Sequence, residues 1–174
     1  LNPIHPSPLR DGGYDISDYY GVDPRLGSLG DFAELAQAAR QRGIRLLLDL
    51  VVNHTSDQHP WFVSARTGPE SPFHDWYVWS RQRPKDWNRG MVFPGVQTST
   101  WTKDARAGEW YYHRFYDFQP DLNMDNPDVR TESSGKEPAR RIIIHPTGPA
   151  QPDLPEIRSD RERRDGGGGR RPWR

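Results

Sequence analysis

The sequence predicts an α/β protein, and three adjoining observations carry that prediction. A capped amphipathic segment runs from Ser28 to Arg42, a nearly continuous apolar run follows it after one glycine, and polar side chains stand where the run ends. Helix, short turn and buried strand in succession form the repeating unit of α/β architecture. Ser28 is a good N-cap, Asp31 sits three residues on near the positive end of the helix dipole, and Gly43 closes the helix. Leu29, Phe32, Leu35, Ala36 and Ala39 fall on one face at helical spacing. The run Ile44-Arg45-Leu46-Leu47-Leu48-Asp49-Leu50-Val51-Val52 has the length and branching of a strand buried on both faces. It ends in Asn53-His54, at the edge where parallel α/β proteins bind their ligands.

The elements on either side are less regular. Before the helix, Pro3, Pro6 and Pro8 with Asp11-Gly12-Gly13-Tyr14-Asp15 predict a rigid, glycine-permitted loop. After the run, from Thr55 to about Asn123, tryptophans, tyrosines and phenylalanines alternate with Pro, Gly, Asp and Arg without a helical period. An irregular stretch of that length reads as a functional segment or a small subdomain, with most of its aromatic residues serving as core. Tyr77-Val78-Trp79 and Trp110 to Phe115 are expected as short strands. Asn126-Pro127 reads as the start of another helix.

Composition changes at Arg130. Residues 1–130 hold 14 Lys/Arg, 17 Asp/Glu and 19 of the 20 aromatic residues, whereas residues 131–174 hold 10 Lys/Arg, 7 Asp/Glu and Trp173 alone. The tail carries six prolines and six glycines, and its one apolar run, Ile142-Ile143-Ile144, is too short to found a core. It is expected to be disordered. The net charge of zero is therefore a sum of −3 and +3, and it gives no whole-chain electrostatic case for nucleic acid. The tail on its own could act as a basic arm, but it lacks the interleaved aromatics that stack bases. The chain has no cysteine, which excludes disulfides and thiolate metal sites. No apolar run approaches the roughly 20 residues of a membrane span, no signal peptide opens the chain, and a cytoplasmic location is expected.

Asp11, Tyr14, Asp15, Asp18 and Tyr19 combine carboxylates with aromatic faces. That is the chemistry of a sugar site, where carboxylates accept from vicinal hydroxyls and a ring stacks on the C–H face of a pyranose. A plain Asp/Tyr-rich surface loop is the competing reading. His54 and His59, five residues apart and without cysteine partners, are weak evidence for zinc.

Three stretches then carry a family resemblance. Asp49-Leu50-Val51-Val52-Asn53-His54 resembles the first signature of the α-amylase superfamily, glycoside hydrolase family 13. Asp11 to Tyr19 resembles that family's loop after the second barrel strand. Gln119-Pro120-Asp121-Leu122-Asn123 is similar to its fifth signature, in the form found in the oligo-1,6-glucosidase and trehalose synthase branch. Pro6-Ser7-Pro8-Leu9, Asn53 to Phe62 and His113-Arg114-Phe115 lean towards trehalose synthases.

The resemblance implies part of a (β/α)8 barrel, from the end of strand two to the start of helix three. Residues 1–54 would be barrel, 55–123 a subdomain inserted after strand three, 124–130 the start of a barrel helix, and 131–174 the disordered tail. By that likeness Asp11 would bind hydroxyls of a glucosyl unit, Tyr14 would stack beneath it, and His54 would hydrogen-bond its O6. Asp49 would neighbour the catalytic centre. Asn53 and Asp121 would help bind a structural calcium in the intact enzyme, both offering hard oxygens; no cofactor would be needed for the chemistry. The partners implied are α-linked glucosides such as maltose or trehalose. The implied reaction is retaining glucosyl transfer that converts maltose to trehalose, with α-glucosidase action and a non-catalytic sugar-binding role as the alternatives. Retention needs an Asp nucleophile and a Glu acid/base roughly 5–5.5 Å apart, and neither signature occurs in this sequence. A barrel also takes about 250 residues. The expectation is a partial gene product, itself inactive, with a tail read in a shifted frame; translating the other two frames beyond codon 130 tests it.

Overall fold

A computed structural model describes residues 1–134; the expectations for the tail beyond them lie outside the described residues. The helix α1 spans Leu29–Gln41. Ser28 caps it in a full capping box, its side chain taking the Asp31 N–H while the Asp31 carboxylate takes the Ser28 N–H. At the far end Gly43 turns left-handed at φ 70°, and the N–H groups of Gly43 and Ile44 reach back to the carbonyls of Arg40 and Ala39. These paired bonds are the Schellman closure, which the glycine makes available without strain.

The apolar run after α1 departs from expectation. Residues 44–52 form no strand ladder, and Leu47 and Leu50 are 81% and 74% exposed. The physical reason is a missing neighbour: a strand buried on both faces needs strands beside it and helices above and below. The described residues supply only a trace of this. Leu1 donates its terminal amine to the Leu47 carbonyl at 2.6 Å and accepts from the Asp49 N–H at 3.0 Å, the bond pattern of a parallel bridge. The apolar stripe of α1 is likewise only partly covered, with Leu29 and Leu35 about half exposed and Ala39 buried.

The core lies elsewhere, in the aromatic stretch. Phe62, Ala65, Tyr77, Tyr111, Leu122 and Val129 form one buried cluster, with Trp61, Phe73, Trp76 and Trp79 packed against it. Phe62 is its centre. It stacks on Trp79 at 5.7 Å and meets Tyr77 and Tyr111 edge-on at 5.0 and 5.1 Å. The helix α2, Pro60–Ala65, delivers Phe62; His59 caps it through the Trp61 N–H, and Pro60 takes the first turn, where no N–H is needed.

A three-stranded antiparallel sheet closes this lobe: β1 (Trp79–Ser80), β2 (Trp101–Lys103) and β3 (Trp110–Tyr112), in the order β1-β3-β2. Tyr111 pairs with Trp79 on one side and Thr102 on the other, and alternation turns it into the core. The two expected strands are present but shorter and shifted, since Tyr77 leaves β1 to bridge Leu122. The turn between β2 and β3 is held by Asp104, which accepts from the N–H groups of Arg106 and Ala107. A final helix, α3 (Pro127–Ser133), starts at its Asn126 cap as expected and runs past Arg130, where the composition changes.

Candidate functional site

The lobe returns the chain to the end of the apolar run, and that return builds the site. Asp121 forms an antiparallel bridge with His54, the Leu122 N–H donates to the Asn53 carbonyl at 2.8 Å, and the Thr55 N–H donates to the Pro120 carbonyl at 3.2 Å. The N-terminal loop arrives from the other direction. Its organiser is Asp15, fully buried, which accepts from the Ser7 hydroxyl at 2.7 Å and the Arg10 N–H at 3.1 Å. Gly12 and Gly13 at φ 58° and 102° provide the backbone turn between these anchors.

Asp11, Tyr14 and His54 meet at this junction together with Asp49. The Tyr14 hydroxyl donates to Asp49 Oδ2 at 2.6 Å across 35 residues of sequence. That bond, aided by burial and by the charges of Asp49 and Asp11, raises the Tyr14 phenol above its ordinary range. His54 Nε2 lies 3.1 Å from the Tyr14 carbonyl, and its Nδ1 lies 3.3 Å from the Asn53 amide nitrogen. A carbonyl only accepts and an amide NH₂ only donates, so these partners assign a neutral ring with the proton on Nε2. Burial acts in the same sense, lowering the His54 pKa against the Tyr14 hydrogen bond and the charges of Asp11 and Asp15. Phe115 closes one side of the ring, edge-on at 5.3 Å.

The other members of the loop's polar group separate from the site. Asp15 is inside the loop. Asp18 accepts from the Tyr20 N–H. Tyr19 points into the lobe, stacked on Trp61 at 5.9 Å, with its hydroxyl donating to the His54 carbonyl at 2.6 Å and its phenol pushed well up by burial. His59 belongs to the same aromatic cluster; burial lowers it to about 4 despite the nearby Asp18 charge. Among the described residues no three His, Cys, Asp or Glu side chains converge as metal ligands.

Asn53 and Asp121 are neighbours. Asp121 is buried and accepts from the Arg114 N–H at 2.9 Å, and burial pushes its carboxyl up to about 6 against the Arg114 and Asn53 contacts. Two oxygen-bearing side chains fall short of the six to eight ligands of calcium, so they do not form a calcium shell by themselves. One site contact was not legible from residue types alone: Gln119, fully buried, donates from Nε2 to Asp11 Oδ2 at 2.9 Å. Its place in the Gln-Pro-Asp-Leu-Asn motif was the available signal.

Comparison with known proteins identifies the family. The family model of the alpha-amylase catalytic domain matches residues 1–137. The chain is 47% identical over 128 residues to a trehalose synthase of Pimelobacter sp. (strain R48), covering 74% of this chain and 22% of that protein. It is 43% identical over 136 residues to an oligo-1,6-glucosidase of Parageobacillus thermoglucosidasius, covering 76% and 23%. In structure it matches the trehalose-6-phosphate hydrolase of Bacillus licheniformis with a TM-score of 0.71 at 41% identity, over 78% of this chain and 24% of that one. The chain thus spans less than a quarter of the length of these relatives. No helix among the described residues is long and apolar enough to cross a membrane.

Proposed function

The chain belongs to the alpha-amylase family, and on that premise we propose that Asp11, Tyr14 and His54 form the glucosyl-binding part of an enzyme acting on α-glucosides, most similar to trehalose synthase. The single observation behind the proposal is convergence: residues 35 and 40 positions apart meet through the Tyr14–Asp49 and His54–Tyr14 bonds. Asp11 accepts from adjacent sugar hydroxyls, Tyr14 offers its ring to the pyranose C–H face, and His54 holds an N–H directed at the Tyr14 carbonyl that a sugar hydroxyl can share. The neutral His54 adds no charge to the pocket.

In the whole reaction a glycosyl-enzyme forms on a carboxylate nucleophile, and the retained glucose attacks it to give trehalose in place of maltose. The chain has neither the nucleophile nor the acid/base signature, so it binds maltose without converting it. Calorimetric titration of the chain with maltose tests this. Binding that Tyr14→Ala removes is expected; equal binding by the variant contradicts the role of the ring. Formation of trehalose or glucose above background would contradict the absence of turnover. Asn53 and Asp121 supply only two of the six to eight oxygens a calcium takes, so chelation should leave the unfolding midpoint of this chain unchanged. An α-glucosidase reading is favoured by the oligo-1,6-glucosidase likeness, and a tighter response to isomaltose than to maltose would support it.

A further inference from the structure

Gln119 touches no other candidate site side chain than Asp11 in the hydrogen bonds of the site, yet its geometry is unusually determined. The residue is 0% exposed. Its backbone N–H donates to the Tyr116 carbonyl at 2.9 Å, and its Oε1 faces the Tyr116 N–H at 3.4 Å. The following residues are clamped on both sides: Pro120 through its carbonyl to Thr55, and Asp121 through its N–H to the Tyr112 carbonyl at 3.0 Å. With Oε1 turned to a donor, only Nε2 is left to face Asp11. A flipped amide would set an oxygen against a carboxylate oxygen and leave two acceptors facing each other in a buried place.

We infer that Gln119 is a positioning residue for the sugar site: it fixes the Asp11 carboxylate in the orientation that accepts two adjacent ligand hydroxyls. Asp11 sits on a glycine-rich loop whose backbone is tied down at Asp15, while its own side chain lies partly open. The Gln119 N–H takes one lone pair of Oδ2; that oxygen keeps another, and Oδ1 keeps its own, enough for a vicinal diol. The bond spans 108 residues. It makes the shape of the N-terminal loop depend on the lobe being folded and docked, so the lobe contributes to sugar binding without touching the sugar through this residue. The inference rests on the sugar-site reading above.

Two variants of the full 174-residue chain test it, with maltose as the probe. Gln119→Met keeps length and apolar volume but removes the donor, and maltose affinity should fall about tenfold while the far-ultraviolet spectrum is unchanged. Gln119→Glu sets a second carboxyl against Asp11. Two carboxyls at that distance share one proton, so this variant should bind poorly near pH 7.5 and recover near pH 5, a profile that a packing role would not produce. Unchanged affinity in Gln119→Met, or pH-independent binding in Gln119→Glu, would overturn the inference. If either variant fails to fold, a third with Gln119 intact decides: the Gln119 side-chain NH₂ resonances should move between wild type and Asp11→Asn, and unmoved resonances would overturn the contact. A wild-type chain that binds no maltose would remove the sugar-site reading itself, a result distinct from wild-type binding that the variants do not alter.

Discussion

His59 and Asp121 are both buried, and their titrations act on stability in opposite directions. Burial holds folded His59 near 4, below its ordinary 6.5, so between those values the unfolded chain takes up the extra proton. Its contribution is complete above about pH 6.5 and is lost as pH falls through 4, on the order of 3 kcal/mol in all. Asp121 is raised from 3.8 to about 6; its contribution is present at low pH and is lost as pH rises through 6. The wild-type melting midpoint should therefore vary weakly between about pH 4 and 6 on account of this pair. His59→Asn sets an acceptor oxygen where His59 Nδ1 caps α2 and removes the first effect, so its midpoint should drop from pH 4 towards pH 6. Asp121→Asn should show the reverse, a midpoint that climbs over the same interval; parallel profiles for both variants would contradict the assignment. At this scale the sequence was partly legible. Asp11, Tyr14 and His54 stood out by chemistry and motif, but Asp15 and Tyr19, the same residue types in the same loop, turned inward. Which carboxylate becomes an anchor depends on partners such as Ser7 and Arg10, which residue type does not reveal.

Among the elements, α1 and α3 were legible because their signals are local. Ser28 with Asp31, Gly43, and Asn126 with Pro127 each satisfy backbone groups within a few residues. The lobe was legible only in part: strands near Tyr77–Trp79 and Trp110–Phe115 were expected, whereas α2 and β2, of six and three residues, carry no measurable period. What holds them is the Phe62 cluster. Truncation to Phe62→Ala should cost about 3–5 kcal/mol and lower the melting midpoint of the lobe by more than about 10 °C; a shift of a degree or two would mean that the cluster is not the core. The run 44–52 is the reverse case. Its sequence reads as a strand, and the exposure of Leu47 and Leu50 reflects what lies beside it, which no local pattern encodes. Exposed apolar side chains on unpaired extended backbone favour association. The double variant Leu47→Lys with Leu50→Lys should leave the midpoint within about 2 °C and reduce light scattering at high concentration; a loss of stability would show these residues to be buried in solution.

For the molecule as a whole, the fold and the site depend on each other through the return of the lobe. Leu122, Pro120 and Gln119 fasten the chain end of the lobe to Asn53, Thr55 and Asp11, so the proposed sugar site, drawn from the first 54 residues, needs residues near 120 to complete it. The alpha-amylase family likeness covers both parts. On the proposed function, Asp11, Tyr14 and His54 together receive an α-linked glucosyl unit. The most direct test of this is a two-dimensional ¹H–¹⁵N and aromatic ¹H–¹³C NMR titration of the chain with maltose, using cellobiose, its β-linked isomer, as the control. Saturable shifts centred on Asp11, Tyr14, His54 and Gln119 are expected with maltose, and much weaker ones with cellobiose. Saturable shifts confined to residues away from this cluster, or no shifts from a folded chain, would contradict it.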